Sequence, residues 1–420
     1  MENLGISELQ ISKQRKRGRY SAVVAGGVLA LLLAACGSSS TASSSSSSTT
    51  AASSSSTSAS SAAGVAKATA ELSKYSSAQP LTPPGPAFNA SKASGKLVWL
   101  IEQQSANPAV AAVAKNAETA LAHENVKVLT CDAHGVSVNI GSCIQQGLSQ
   151  HPAAIIVDGG DPQSYTSGIQ AANSAHVPII SGLDVPIPTS SDASQIDPHL
   201  TGIAANAGPP DPLSGTLAAD YVVKNSNANA HVLFLSSPGI LGSNFEEQNF
   251  ASTLKSLCPK CTLIVKPVVI TNWASDLGPT VSSQMRLHPN INYVVPVFDP
   301  MAAYTDPAII QAGKASSVKV VTVNGSLQQM TNLSQKQVIV CDVGQNLAEL
   351  GFLAADETLR YISGVPSSDL VKEVQPGVRV FSASNIGSIS LTPAAFNSGE
   401  WYTGSASAMT DMFYKLWSGS

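Results

Sequence analysis

Short runs of Val, Ile and Leu that are apolar at consecutive positions recur from residue 96 onward: 96–101, 126–130, 154–157, 178–180, 231–235, 262–268, 293–297, 318–323 and 337–341. Runs of this length and evenness fit strands buried on both faces. Longer amphipathic segments separate most of them, at 108–123, 138–150, 162–175, 213–224, 244–257, 277–287, 301–312 and 345–362. Buried strands alternating with such helices predict parallel sheets covered on both sides, which is the doubly wound α/β class. The strands are too many for one ordinary sheet. The rhythm weakens over 192–212, where Gly, Pro and Asp cluster, and a crossing between two similar units is expected there. Two such units would share a crevice outside the carboxyl ends of their strands, where open parallel sheets bind ligands.

Polar residues stand at those ends. Asn107 followed by Pro108 reads as a helix cap after the first strand, with Gln103, Gln104 and Ser105 beside it. Asp158 and Asp161, Asp184, Asp299, Asn324 and Gln345 follow later strands. A single Asp there is ordinarily a turn residue. The recurrence of carboxylates and amides at equivalent positions suits the adjacent hydroxyls of a neutral polyol, to which these groups hydrogen-bond in pairs. Trp273 either offers a flat face to a sugar ring or packs in the core.

The N-terminus alters the setting. Lys13, Arg15, Lys16, Arg17 and Arg19 precede an apolar run over 22–35 that is short for a membrane span and ends in Leu33-Ala34-Ala35-Cys36-Gly37. This is the architecture of an exported precursor, and the last five residues resemble a bacterial lipobox with Cys36 as the lipidated thiol. Residues 37–61 are almost entirely Ser, Thr and Ala, so a tether is expected over 36–95, with an end-to-end distance of about 40 Å if flexible. Removing 1–35 takes away five basic and two acidic residues, which moves the formal charge from -4 to about -7. That sign disfavours nucleic acid and anionic lipid as partners.

The cysteines fit an oxidising compartment. Cys131 and Cys143, and Cys258 and Cys261, stand at spacings that permit local bridges, with Cys341 left over. The seven His are scattered with no H-x-x-x-H, so neither a metal nor another cofactor is expected. Catalytic signatures are missing too: there is no G-x-S-x-G, no Walker sequence, no G-x-G-x-x-G and no H-E-x-x-H. An exported glycosidase would need two paired carboxylates, and no two acidic residues are paired by the sequence.

In order and spacing, S-A-N-P-A-V, I-I-V-D-G-G-D, V-P-I-I-S-G-L-D, V-V-P-V-F-D-P-M-A, V-V-T-V-N-G and D-V-G-Q followed by L-G-F-L-A-A-D-E-T-L resemble the type I periplasmic sugar-binding family. The resemblance spans about 96–364. It implies two Rossmann-like lobes joined by three crossings, near 206–211, 340–344 and 371–379. It further implies a monomer that captures a sugar or polyol and hands it to an ABC permease, or presents it to a membrane receptor. The implied ligand positions are Gln103, Asn107, Asp158, Asp184, Trp273, Asn324 and Gln345, with Asp299 in a strand-end acidic motif and Asn206 or Asp211 at the first crossing. The corresponding organisation is a leader (1–35), a tether (36–95), a first lobe (96–207 plus 345–372) and a second (208–344 plus 373–420). Departures are Ala109 and Val110 where relatives carry aromatic residues, Val185 in place of an arginine, Glu246 and Glu247 where another arginine is expected, and an amide at Asn324.

Overall fold

The computed structural model describes residues 51–183, 185–186, 198–365 and 376–419, with side chains from residue 61 onward. The expected leader, Cys36 and Asp184 lie outside these residues. The chain opens with α1 (Ala51–Lys74). The first lobe then follows as β1 (Leu97–Glu102), α2 (Pro108–His123), β2 (Lys127–Asp132), α3 (Ser137–Leu148), β3 (Ala154–Asp158), α4 (Thr166–Ser174), β4 (Ile179–Gly182) and β5 (Ala205–Ala207). The second lobe runs α5 (Asp211–Asn225), β6 (His231–Ser236), α6 (Leu241–Leu257), β7 (Thr262–Pro267), α7 (Trp273–Leu287), β8 (Tyr293–Pro296), α8 (Asp299–Gln311), β9 (Lys319–Asn324), α9 (Leu327–Ser334) and β10 (Ile339–Gln345). The remaining elements are α10 (Leu347–Ser363), β11 (Val378–Ser382), α11 (Pro393–Asn397), α12 (Glu400–Thr403) and α13 (Ala408–Trp417).

The strands form two sheets, ordered β2-β1-β3-β4-β5 and β11-β10-β9-β8-β6-β7. Every pairing is parallel except that of β10 with β11. In the first sheet the strand order reverses at β1, and in the second at β6, so helices must lie on both faces of each sheet. The central strands are apolar because both faces are covered: all five residues of β3 are buried, as are all four of β8, whereas the edge strands β2 and β7 are partly exposed. The two expected lobes are therefore present. Two strands escape hydrophobic pattern reading. β5 has three residues set among Gly and Pro, and β11 is an antiparallel edge strand in a stretch with no helical rhythm before it.

The structure corrects the expectation of a free tether up to residue 95. Ala68 and Leu72 of α1 are buried in the second lobe's core with Leu217, Val222 and Leu254 from α5 and α6. A Cβ on Gly64 would run into the carbonyl of Leu257, so the absence of a side chain lets α1 lie close against α6. The chain beyond α1 then crosses between the lobes. Val380 donates to the Tyr75 carbonyl and Gln79 to the Tyr402 carbonyl on the second lobe, both at 2.8 Å. Phe88 donates to the Leu416 carbonyl at 2.8 Å, and Phe88, Ala90 and Ala93 are buried in the first lobe's core with Phe352 and Trp417. Serine and alanine composition hid this strap, because α1 is held by a few small buried contacts instead of a broad apolar face.

A second correction concerns the C-terminal tail. α13, expected in the second lobe, packs with α10 in the first, where Phe352 and Trp417 stack with ring centroids 6.1 Å apart. The lobes are thus joined at the β5 to α5, β10 to α10 and α12 to α13 passages, by the return from α10 to β11, and by the strap. If α1 contributes to the core, Leu72→Ala will destabilise the protein by about 2–4 kcal/mol, the cost of truncating a buried Leu. Urea denaturation checks this, and an unchanged midpoint would mean that α1 is not part of the folded body.

Candidate functional site

Both points of strand reversal face the same cleft. After β1 the chain leaves the sheet as Gln103 to Asn107; Gln103 is buried and Asn107 caps α2, accepting from the Ala109 amide at 2.9 Å. After β6 it leaves as the loop to α6, which brings Ile240 and Gly242 opposite. Asn324 at the end of β9, Gln345 at the end of β10 and Asp211 at the start of α5 complete the polar lining. Ala109, Val110, Leu183, Pro209 and Phe298 make the apolar walls. The cavity they line measures about 40 Å³.

The polar groups are linked across the crossings. Gln345 donates through Nε2 to Asp211 Oδ1 at 2.8 Å and to Ser214 Oγ at 3.0 Å, tying the β10 passage to the β5 passage. Its Oε1 accepts from Asn324 Nδ2 at 3.3 Å, while Asn324 Oδ1 is buried with no hydrogen-bond partner. Asn324 has φ +115°, a left-handed conformation that costs a non-glycine residue about 1–3 kcal/mol and persists only where its surroundings enforce it. Two carboxyls supply that enforcement. Asp299 Oδ2 accepts from the Ser326 amide at 2.6 Å, and Asp342 Oδ1 accepts from the Gly325 amide at 3.0 Å. Both carboxyls are fully buried, and burial raises both pKa values, with the charge of Asp299 raising Asp342 further.

A similar pair lies behind the wall at α5. Burial pushes Asp211 up to about 6, against hydrogen bonds from Gln345 and Glu246 that lower it. Glu246 is raised well above its usual range, first by burial and then by the charge of Asp211. A Cβ at Gly242 would strike Asp211 Oδ2, which explains glycine at that position on α6. Glu349 is raised to about 7 by burial; its Oε2 accepts from the Gly377 amide at 2.7 Å and so holds the start of the return strand.

Gln103, Asn107, Asp211, Asn324 and Gln345 therefore converge on one pocket. Four other sequence candidates stand elsewhere. Asp158 is fully buried at the end of β3. Asn206 turns its Nδ2 to the Val185 carbonyl at 3.0 Å. Asp299 sits beneath the Asn324 loop as described. Trp273 is buried in the second lobe's core, where its Nε1 donates to Ser237 Oγ and the Val268 carbonyl, both at 3.2 Å. Its ring reaches a different, outer cavity. Period-two and strand-end reasoning identifies the layer of a residue poorly, and it misses apolar liners such as Leu183, Ile240 and Phe298 altogether. The acidic stretch at Glu246 was the available signal for the second carboxyl pair.

The sulfurs of Cys131 and Cys143, and of Cys258 and Cys261, are joined, with Cα separations of 5.8 and 5.4 Å. The first bridge ties β2 to α3. Cys341 is buried and unpaired in β10. Among the described residues no cluster of His, Cys, Asp and Glu has the arrangement of a metal site.

Residues 98–365 match the family model described as a periplasmic binding protein domain. Solved structures share the fold. A 5-methylthioribose transporter solute binding protein from Thermotoga lettingae, in complex with 5-methylthioribose, has a TM-score of 0.63 and 18% identity over 78% of this chain and 98% of its own. An ABC transporter solute binding protein from Agrobacterium vitis with bound allitol gives 0.61 and 17%, covering 70% of this chain and 98% of its own. One from Mycobacterium smegmatis with bound glycerol gives 0.60 and 16%, covering 70% and 96%. At these identities the likeness is one of fold. No curated protein matches the chain by sequence.

The buried carboxyls set the sign of a pH effect. Asp211 and Glu349 titrate near 6 and 7 when folded and near 4 when unfolded. Between those values the folded state holds protons that the unfolded state releases, so stability falls as pH rises through the folded pKa values. The melting temperature is expected to drop by a few degrees from pH 5 to pH 8, and Asp211→Asn is expected to flatten part of that slope. A melting temperature that stays level or climbs over this range would count against the raised pKa values of these two carboxyls.

Proposed function

The chain belongs to the periplasmic binding protein family, and on that premise we propose that it captures a small, neutral, hydroxylated solute between its lobes and delivers it to an ABC-type permease. The observation that carries this reading is the convergence of four amides, from Gln103, Asn107, Asn324 and Gln345, on one pocket at the strand reversals of both lobes. Amides both donate and accept, as a hydroxyl does, and they carry no charge that selects for an ion. The lining includes no Lys, Arg or His. Among the described residues the arginines are committed elsewhere or exposed: Arg360 is paired with Asp356 at 2.7 Å, Arg379 donates to the Trp401 carbonyl at 2.6 Å, and Arg286 lies exposed on α7. A solute carboxylate or phosphate would find no cationic partner there. The bound allitol, glycerol and 5-methylthioribose of the structural neighbours support a polyol or sugar derivative.

Asn324 Oδ1 is the acceptor this reading assigns to a solute hydroxyl, because a buried acceptor left without a partner costs stability that a ligand would recover. Asp184, beside the lining residue Leu183, is assigned a second hydroxyl contact. The reading includes anchoring to the outer face of the cell membrane through lipid on Cys36, with the two cysteine pairs oxidised there and the folded body acting as a monomer. The placement of the carboxyls favours binding over glycoside hydrolysis, since Asp211 is engaged by Gln345 and Asp299 and Asp342 lie behind the lining.

Calorimetric titration against sugars, polyols, nucleosides and amino acids tests the proposal. Heat is expected from at least one sugar or polyol and from no carboxylate or phosphate ester. Gln345→Ala is expected to weaken that binding at least tenfold, by removal of the amide that links Asn324 to Asp211. Heat from amino acids alone would refute it.

A further inference from the structure

The pocket between the amides is small, and a second cavity adjoins it. Asn107 lines both: one side of this residue faces the inner space of about 40 Å³, the other an outer space of about 510 Å³ in the same measure. The inner space is the narrower of the two, and the outer one has room for a whole ring system. Its walls differ in kind. Trp273, Tyr304, Ile270 and Pro300 come from the second lobe and Ala106 and Pro108 from the first, and its one ionisable group besides Tyr304 is His134, which pairs with Asp132 at 3.2 Å.

The aromatic pair is also presented in different ways. The Trp273 ring is fixed, because its Nε1 is held by Ser237 and the Val268 carbonyl. Tyr304 is 40% exposed on α8. A buried, oriented indole and an exposed phenol lining one largely apolar cavity form a surface suited to a flat apolar group.

We propose that the outer cavity is a second subsite, which takes the apolar or planar substituent of a solute whose hydroxylated head occupies the inner pocket. This rests on the preceding reading of the inner pocket and specifies the ligand class within it: a glycoside or similarly substituted polyol, in preference to the free sugar. Asn107 stands at the junction of head and substituent. The outer subsite selects by shape and apolar area, the inner one by hydrogen bonds.

The test uses the full chain and matched probes, D-glucose, D-galactose, D-mannose, D-xylose and D-ribose, each against its phenyl glycoside, by calorimetric titration. For any sugar that binds, the phenyl glycoside is expected to bind on the order of tenfold tighter, the gain that aromatic stacking and burial of a ring provide. Ala303→Trp, which fills the outer cavity from an exposed helical position, and Tyr304→Ala are each expected to bring that ratio to about one. Circular dichroism monitors folding of the variants. Equal affinities within every binding pair would overturn the outer subsite and leave the inner pocket standing, as would a ratio that both substitutions leave unaltered. Heat from no member of any pair would overturn this ligand class, and the polyol arm of the preceding titration then decides the inner pocket separately.

Discussion

Two buried carboxyls beneath one turn are the constraint on which the site is built. Asp299 starts α8 and Asp342 lies within β10, and both stand under the β9 end. Each carboxyl spends an oxygen on a backbone amide of the Asn324 to Ser326 turn. Burial raises the pKa of both, and the charge of Asp299 raises that of Asp342 further. Were both ionised, like charges in a dry interior would drive the turn apart. Held by these two acceptors, Asn324 keeps a conformation it would not adopt alone. Asp211 and Glu246, also buried and raised, stand at the β5 passage. The buried Gln345 side chain links that passage to Asn324.

This arrangement accounts for the departures from the related pattern. Aromatic residues and arginines are exchanged for Ala109, Val110, Val185 and Glu246, so the cationic partner and that stacking face are absent from the inner pocket. What replaces them is a floor of amides and the Asp211 carboxyl, with apolar walls that include Phe298. Arg360 and Arg379, meanwhile, serve the architecture: Arg360 lies 4.4 Å from the centre of the Phe88 ring and donates to the Pro86 carbonyl at 3.0 Å, and Arg379 donates to the Ser76 carbonyl at 3.4 Å. Both arginines hold the strap to its lobe.

The fold class and the two lobes were legible because strands buried on both faces leave an unbroken apolar run, and their alternation with helices admits few topologies. The polar strand ends were legible for the same reason. Depth was not. Asn324 and Asp299 both follow strands, yet one lines the pocket and the other supports it, and the difference arises from which backbone amides lie within reach after folding. Trp273 was readable in two ways, and its buried Nε1 is satisfied within its own lobe while its ring borders the outer cavity. The strap and α13 were hidden by the nature of their contacts. A helix held by Ala68 and Leu72 shows little periodicity, and nothing local indicates that the last helix returns to the first lobe.

The strap has a mechanical consequence. Gln79 is bonded to the second lobe and Phe88 to the first. The segment between them spans about 30 Å at full extension, at 3.3–3.6 Å per residue. A hinge made only of crossing strands swings until its own torsions resist, whereas a hinge with a chain of fixed length pinned across it has a stop, as a door has a check strap. The widest aperture of the cleft is then a matter of contour length, tunable by adding or deleting residues in the segment between Gln79 and Phe88 without touching the hinge or the pocket.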